Sequence, residues 1–576
     1  MHKSTIAAVV LVSIGTGGCI SGTQMGQTEG GRAADTLVGK VASARHGMVA
    51  TDAALGTAVG VRVLKSGGNA IDAAVATAFA MAVIYPEAGN IGGGGFIVAR
   101  LADGSSTALD FREAAPLAAS HDMYLDDQGN VTNKSLVGYL ASGVPGSVAG
   151  LWEVHKRYGS KPWRELLAPA IALAQNGFIV DEHLAHAIAN DKRLADFPAS
   201  ARLLLTDGHA PAAGSRWSNP ELAAVLRRIA EQGRDGFYKG ETADLIVAEM
   251  KRGGGLITHE DLERYQAKWR APIEFSYRGH HIISMAPASS GGITVALMAN
   301  ILNGYDLHAL GARSAQRFHL IAEASRRAFA DRNSFLGDPD FVKIPADMLL
   351  SQDYAQKQRA TISREHATPS AQIRPGLTAA AEGNQTTHMS FVDGKGNAVA
   401  LTTTLNELHG SGVTVTGAGF LLNDEMDDFT AKVGVANMFG LVQGEANAIA
   451  PGKRMLSAMT PTIVLDKSNQ VMMVTGGRGG PRIISAVFQI ISNVLDHGMK
   501  LPEAVTAPRI HHQHLPDILY HEKHAFDAAT EKQLVEMGHH VAEREGYIAT
   551  APTLLRAGDH WTGMADPRSG GLAEGY

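Results

Sequence analysis

Cysteine is nearly absent: Cys19 is the one cysteine in 576 residues. No disulfide framework can form, and no zinc site can be built on several thiolates. Positive charge is not in excess, with 51 Lys and Arg against 57 Asp and Glu and a net charge of -6. No nucleic-acid partner is therefore expected. The apolar run at the amino terminus, Ile6 to Ile14, falls well below the roughly 20 residues of a spanning helix. Charged residues make up 19 % and hydrophobic residues 45 %, which excludes disorder, collagen and a coiled coil. Glycine is plentiful, 64 residues or about one in nine, so tight turns and close backbone approaches are expected.

The first 19 residues read as a secretory signal: His2-Lys3, the short apolar run, then Thr16-Gly17-Gly18-Cys19. A small-residue cleavage site before a cysteine serves two fates. One is plain cleavage, giving a periplasmic or secreted protein. The other is lipoprotein processing and a membrane tether through Cys19, although Thr16 stands where such sites usually carry Leu. Residues 20–40 read as a flexible spacer.

From Asp52 to Val83 the pattern is helical, broken by Gly67-Gly68, with Asn69 as a cap. Gly89-Asn90-Ile91-Gly92-Gly93-Gly94-Gly95 precedes a strand and does not open a helix after one, so a phosphate-binding reading fails on context. Residues 148–270 read as a helical layer, and Ile293 to Leu302 as a helix. Residues 355–385 are polar and aperiodic, and are expected to be an exposed linker. Two hairpins follow. His388 to Val392 pairs with Ala398 to Asn406, and Thr462 to Leu465 pairs with Val471 to Thr475; a helix then runs from about Ile483 to Leu495. The order suggests layered α+β packing.

The first hairpin is informative. With its turn centred on Lys395, Thr386 and Thr404 become cross-strand neighbours with Cβ atoms about 5 Å apart. Thr402, Thr404 and Asn406 then share one face with Thr386. Threonine is common in strands and pairs with itself, so spacing alone leaves a structural pairing open.

The segment Asn384-Gln385-Thr386-Thr387-His388-Met389-Ser390 resembles the autoprocessing site of γ-glutamyltranspeptidases. The likeness runs through Arg45-His46-Gly47-Met48-Val49-Ala50, Gly68-Asn69-Ala70-Ile71-Asp72-Ala73-Ala74, the Gly89 to Phe96 loop, Asp110-Phe111-Arg112-Glu113, Asn423 to Phe429 and Asp566-Pro567-Arg568-Ser569. It implies an N-terminal-nucleophile hydrolase with a four-layer αββα sandwich, formed jointly by a large subunit, 41–385, and a small catalytic subunit, 386–576. Cleavage would fall between Gln385 and Thr386. The new Thr386 hydroxyl would be the nucleophile, with its own α-amino group as base; such an amine has a pKa near 8 and is available around neutral pH. By the same likeness Thr404 orients the nucleophile. Gly479 and Gly480, in Thr475-Gly476-Gly477-Arg478-Gly479-Gly480, supply the oxyanion hole. Arg112 and Ser457 would grip the α-carboxylate of a γ-glutamyl group, and Asn406, Glu425 and Asp428 its ammonium. The partners implied are glutathione or other γ-glutamyl small molecules, with amino acids or peptides as acceptors. No cofactor is implied. His511-His512-Gln513-His514 and His521-Glu522-Lys523-His524 lack the HExxH spacing, so no metal is expected.

Three positions depart from the family pattern. Ala458 replaces the second of two serines, a lost hydrogen bond to a charged group worth roughly 1.5–3 kcal/mol. Arg478 stands where a small residue or Pro is common, with two roles open: a compensating positive charge, or a partner for a surface acid. Phe439 stands in a lid-like segment, Gly434 to Gly452, where relatives can carry Tyr, so the lid's hydrogen bond to Asn406 is expected to be missing. A γ-glutamyl hydrolase/transpeptidase is the expected activity. The alternatives are a same-fold acylase for glutaryl or cephalosporin side chains, which Ala458 keeps open although Glu425 and Asp428 favour the γ-glutamyl reading, and an uncleaved, non-enzymatic relative.

Overall fold

The first hairpin forms in the register expected. Thr387–Val392 pairs with Ala398–Thr404, Thr387 opposite Thr403 and His388 opposite Thr402, in the computed structural model of the chain. Continuing that register sets Thr386 against Thr404. The structure describes residue 37, residues 39–373 and residues 386–576. The signal and spacer, Cys19 and Gln385 lie outside the described residues.

Two seven-stranded antiparallel sheets carry the fold. The first has the order Leu572–Gly575, Met48–Thr51, Thr387–Val392, Ala398–Thr404, Gly94–Arg100, Ser106–Phe111, Lys268–Arg270. The second has the order Val41–Ala44, His560–Met564, Thr553–Ala557, Val471–Thr475, Thr462–Leu465, His280–Ser284, Ile273–Tyr277. Both sheets contain strands from before and from after the 374–385 segment. Neither part could complete either sheet alone, and Val38–Tyr576 is one compact unit.

Side-chain alternation sorts the layers. Val49, Ile97, Ala99, Val399 and Leu401 face the helices Ala54–Lys65, Ala70–Ile84, Ser147–Tyr158 and Trp163–Asn176. Met48, Ala50, Phe96, Val98, Ala398 and Ala400 face the other way, into a core shared with the second sheet and the helices Gly291–Leu302, Ala315–Phe335 and Arg482–Leu495. This period of two, buried on both faces, builds the αββα sandwich. Asn69 caps Ala70–Ile84 in a reciprocal capping box with Asp72.

The expected linker over 355–385 is corrected for its described part. Gln352–Ala360 is a helix, and the Ser370–Gln372 turn is pinned by Ser370 N–H to Asp517 at 2.7 Å. Thr368 donates to Glu323 at 2.6 Å. These anchors are polar side chains, which leave no apolar periodicity to read.

Candidate active site

The glycine loop explains how the Thr386–Thr404 pair is held. A Cβ on Gly93 would lie 2.1 Å from the Thr404 carbonyl oxygen, and one on Gly95 would lie 2.3 Å from that of Thr402. Only glycine lets this backbone lie so close. Asn90, in the same loop, donates to the Thr404 carbonyl at 2.7 Å and to the Thr403 hydroxyl at 3.1 Å. From the opposite side, Asp52 accepts from the Thr387 hydroxyl at 3.0 Å and from Ser569 at 2.8 Å. That last bond ties the Asp566-Pro567-Arg568-Ser569 motif to the hairpin.

Thr386 Oγ1 donates to Thr404 Oγ1 at 3.4 Å, and Thr404 Oγ1 accepts the Asn406 N–H at 2.8 Å. Asn406 has a φ of +82°, a left-handed conformation that Asn enters more readily than most residues. Its side chain donates to the Asp424 carbonyl at 3.1 Å and to Met438 Sδ at 3.3 Å. The lid therefore does reach Asn406, through the thioether next to Phe439, which corrects the expectation of a missing contact. Phe439 is buried against Gly480, where a Cβ would lie 2.6 Å from its ring.

These groups open onto a cleft of about 310 Å3, its mouth included, lined by Thr386, Thr404, Asn406, Arg112, Glu425, Asp428, Ser457 and Gly480 among others. Ten of the residues singled out from sequence thus converge, Phe439 and Ala458 included. Gly479 lies one residue before the lining, with φ of +134° against +57° for Gly480. Among the described residues no backbone carbonyl takes either amide hydrogen. The pair precedes the buried helix Arg482–Leu495, whose dipole is positive at this end.

The charges are arranged differently from expectation. The Arg112 guanidinium pairs directly with both Glu425 and Asp428, and lies 3.6 Å from Glu113. The carboxylate grip and the ammonium cradle are thus one buried network. Burial pushes Glu113, Glu425 and Asp428 above the usual carboxylate range, against the pull of Arg112. Asn423 shapes the turn that carries the acids, accepting the Gly143 and Glu425 N–H groups at 2.9 and 3.1 Å. Ser457 Oγ accepts the Met459 N–H at 3.1 Å.

Arg478 takes neither role left open for it. It turns away from the cleft, donating to the Tyr85 hydroxyl and to Thr550 Oγ1 at 3.2 Å. Backbone pairing of residue 478 with Thr550, in both directions, fixes that course. Arg332 is a cleft residue that sequence reading missed. It sits on Ala315–Phe335, a helix on which four arginines are buried, and the scarcity of apolar periodicity there was the one available signal.

The histidine cluster is engaged in hydrogen bonds: His511 with Ser485 at 2.8 Å and Gln513 at 2.9 Å, His512 with Asp517 at 3.2 Å, His514 with Ser370 at 3.0 Å. Beside Thr386, His388 lies between Thr402 Oγ1 at 2.8 Å and Ser390 Oγ at 3.1 Å. Burial pushes its pKa down to about 3. The unfolded imidazole titrates near 6.5, so below about pH 6.5 the unfolded chain binds a proton that the native one refuses. His388→Asn should therefore flatten the loss of stability on acidification from about pH 7 to about pH 4, as followed by chemical denaturation. An unchanged slope would contradict a neutral buried His388.

A family model described as Gamma-glutamyltranspeptidase matches residues 56–576. The chain is 48 % identical over 546 residues to a glutathione hydrolase proenzyme of Pseudomonas sp. (strain A14), covering 92 % of this chain and 95 % of the other. Its structure superposes on cephalosporin acylase from Bacillus halodurans with a TM-score of 0.82 at 28 % identity, over 93 % of this chain and 97 % of that one. It matches Helicobacter pylori gamma-glutamyltranspeptidase with a TM-score of 0.55 at 46 % identity, over 56 % of this chain and 93 % of that one. The sandwich, the convergent cleft and a match over nearly the whole chain lead to one assignment: the chain belongs to the γ-glutamyltranspeptidase family.

Proposed function

We propose that the protein is a γ-glutamyltransferase/glutathione hydrolase that matures by cutting itself between Gln385 and Thr386. The supporting observation is the Thr386–Thr404 hydroxyl pair at 3.4 Å, opening onto a small cleft that presents both signs of charge. A γ-glutamyl group carries an α-carboxylate, an α-ammonium and a neutral amide, and needs all three features.

The freed α-amino group of Thr386 takes the hydroxyl proton as Oγ1 attacks the γ-carbonyl carbon. The negative charge that develops on the carbonyl oxygen meets the Gly479 and Gly480 N–H groups. The carbon–nitrogen bond breaks, the leaving amine takes the proton, and a γ-glutamyl ester of Thr386 remains. Water, or the amine of an amino acid or peptide, attacks the ester and returns the proton to Thr386. Thr404, fixed by the Asn406 N–H, orients the nucleophile. Arg112 and Ser457 bind the α-carboxylate; Glu425, Asp428 and Asn406 hold the ammonium. The charged amino terminus and the Ile6 to Ile14 run support export, to the periplasm or beyond the cell, with Cys19 available as a tether.

The test compares γ-glutamyl and glutaryl 4-nitroanilides, which differ only in the ammonium. The γ-glutamyl donor should have the higher kcat/KM by at least about 100-fold, the worth of roughly 3 kcal/mol of buried charge pairing. A preference for the glutaryl donor would assign the protein to the acylases, the reading that Ala458 keeps open.

A further inference from the structure

Among the described residues Arg332 is unusual: 1 % exposed, yet with no carboxylate at ion-pair distance. A buried guanidinium is costly unless something offsets its lost hydration. Burial draws its pKa down to about 10, which leaves it charged at neutral pH. Three neutral acceptors hold it. Nε donates to Ser290 Oγ at 2.9 Å, and Nη1 donates to Asn333 Oδ1 at 2.9 Å and Gln443 Oε1 at 3.0 Å.

Two of those acceptors lead to two other segments that line the cleft. Ser290 donates to the Ser457 carbonyl through both N–H, at 2.8 Å, and Oγ, at 2.6 Å. Gln443 donates to the Asp428 carbonyl at 3.1 Å. Arg332 is thereby fixed between the Ser457-Ala458 wall and the acidic turn. Its Nη2 has no protein acceptor among the described residues. Arg332 is itself one of the residues that line the cleft. Arg112, by contrast, already pairs with Glu425 and Asp428.

We propose that Arg332 is a specificity-determining residue of the donor site, its Nη2 binding the α-carboxylate on the Ala458 side, where a family serine hydroxyl is missing. This rests on the γ-glutamyl reading above, since the α-carboxylate is that donor's fixed anion. Arg332 thus supplies the positive charge that Arg478 does not.

The test uses Arg332→Gln in the full-length protein and three 4-nitroanilides: γ-glutamyl, glutaryl (carboxylate without ammonium) and 4-aminobutanoyl (ammonium without carboxylate). KM for the first two should rise at least tenfold with kcat within threefold, while both constants for the 4-aminobutanoyl donor stay within threefold. Adding Ala458→Ser to Arg332→Gln should recover most of the lost affinity. Equal losses on all three donors, or unchanged KM on the first two, would overturn the assignment. Failure of the γ-glutamyl reading shows separately, as wild-type protein that turns over none of them or prefers the glutaryl donor. If Arg332→Gln does not fold, Arg332→Lys replaces it. That variant keeps the charge but not the fork that spans Ser290 and Gln443, and the same donor-selective rise in KM is expected.

Discussion

Thr386→Ala is expected to leave the protein as one uncut chain and to lower turnover of a γ-glutamyl donor by at least about 10⁴-fold, the scale of losing a covalent nucleophile. Both effects have the same origin. The hydroxyl at 3.4 Å from Thr404 is the group proposed to attack the Gln385 carbonyl during maturation and the donor carbonyl afterwards. The substitution removes one hydroxyl and one methyl from a buried site whose strand is held independently by Asp52 and Asn90. The variant should therefore fold, and its melting temperature should stay close to that of an uncut wild-type chain. Thr386→Ser keeps an attacking hydroxyl and should retain both cleavage and measurable turnover. A denaturing gel and a 4-nitroaniline assay check both variants. Normal cleavage or turnover in Thr386→Ala would remove Thr386 from the mechanism.

Arg112→Met is expected to raise the donor KM at least about 100-fold and to destabilise the fold in a pH-dependent way. Removing one partner of a buried ion pair costs roughly 3–5 kcal/mol, because it strands the charge left behind. Here Glu113, Glu425 and Asp428 all face the lost guanidinium. Burial already raises their pKa values, and Arg112 is the chief force pulling them back. Without it they rise further. A carboxyl group whose folded pKa lies above its unfolded one is least harmful below the unfolded value, where both states are protonated. It destabilises the fold progressively as pH climbs from the unfolded value to the folded one. The stability gap between wild type and Arg112→Met should widen in urea titrations as pH climbs above about 7, the folded value of Glu113 while Arg112 is present. A gap that narrows over that range would contradict the buried-acid account.

Much of this site was legible because the hairpin follows short-range rules. A five-residue turn around Lys395 and strict alternation fix the register, and that register places Thr386 opposite Thr404. Asn69 announces its helix for the same reason, since a capping box is local chemistry. The family motifs brought in Arg112, Asn406, Glu425, Asp428, Ser457 and Gly480, which come from separate segments and meet in one cleft. The direct pairing of Arg112 with Glu425 and Asp428 was not legible, because it depends on how a strand end and a turn more than 300 residues later pack together. Arg332 was hidden likewise: its meaning comes from Ser290 and Gln443, on two other segments. Arg478 misled because sequence gives its charge and not its direction, which the pairing with Thr550 decides. The 355–373 stretch misled because its anchors are hydrogen bonds from Thr368 and Ser370.

The most direct measurement is the intact mass of the purified protein before and after acid-quenched reaction with a γ-glutamyl donor, followed by peptide mapping. The account predicts a smaller fragment running from Thr386 to Tyr576, about a third of the chain, which gains the mass of one γ-glutamyl group on its amino-terminal threonine. A wild-type chain that stays whole, or a label on any other residue, would contradict it.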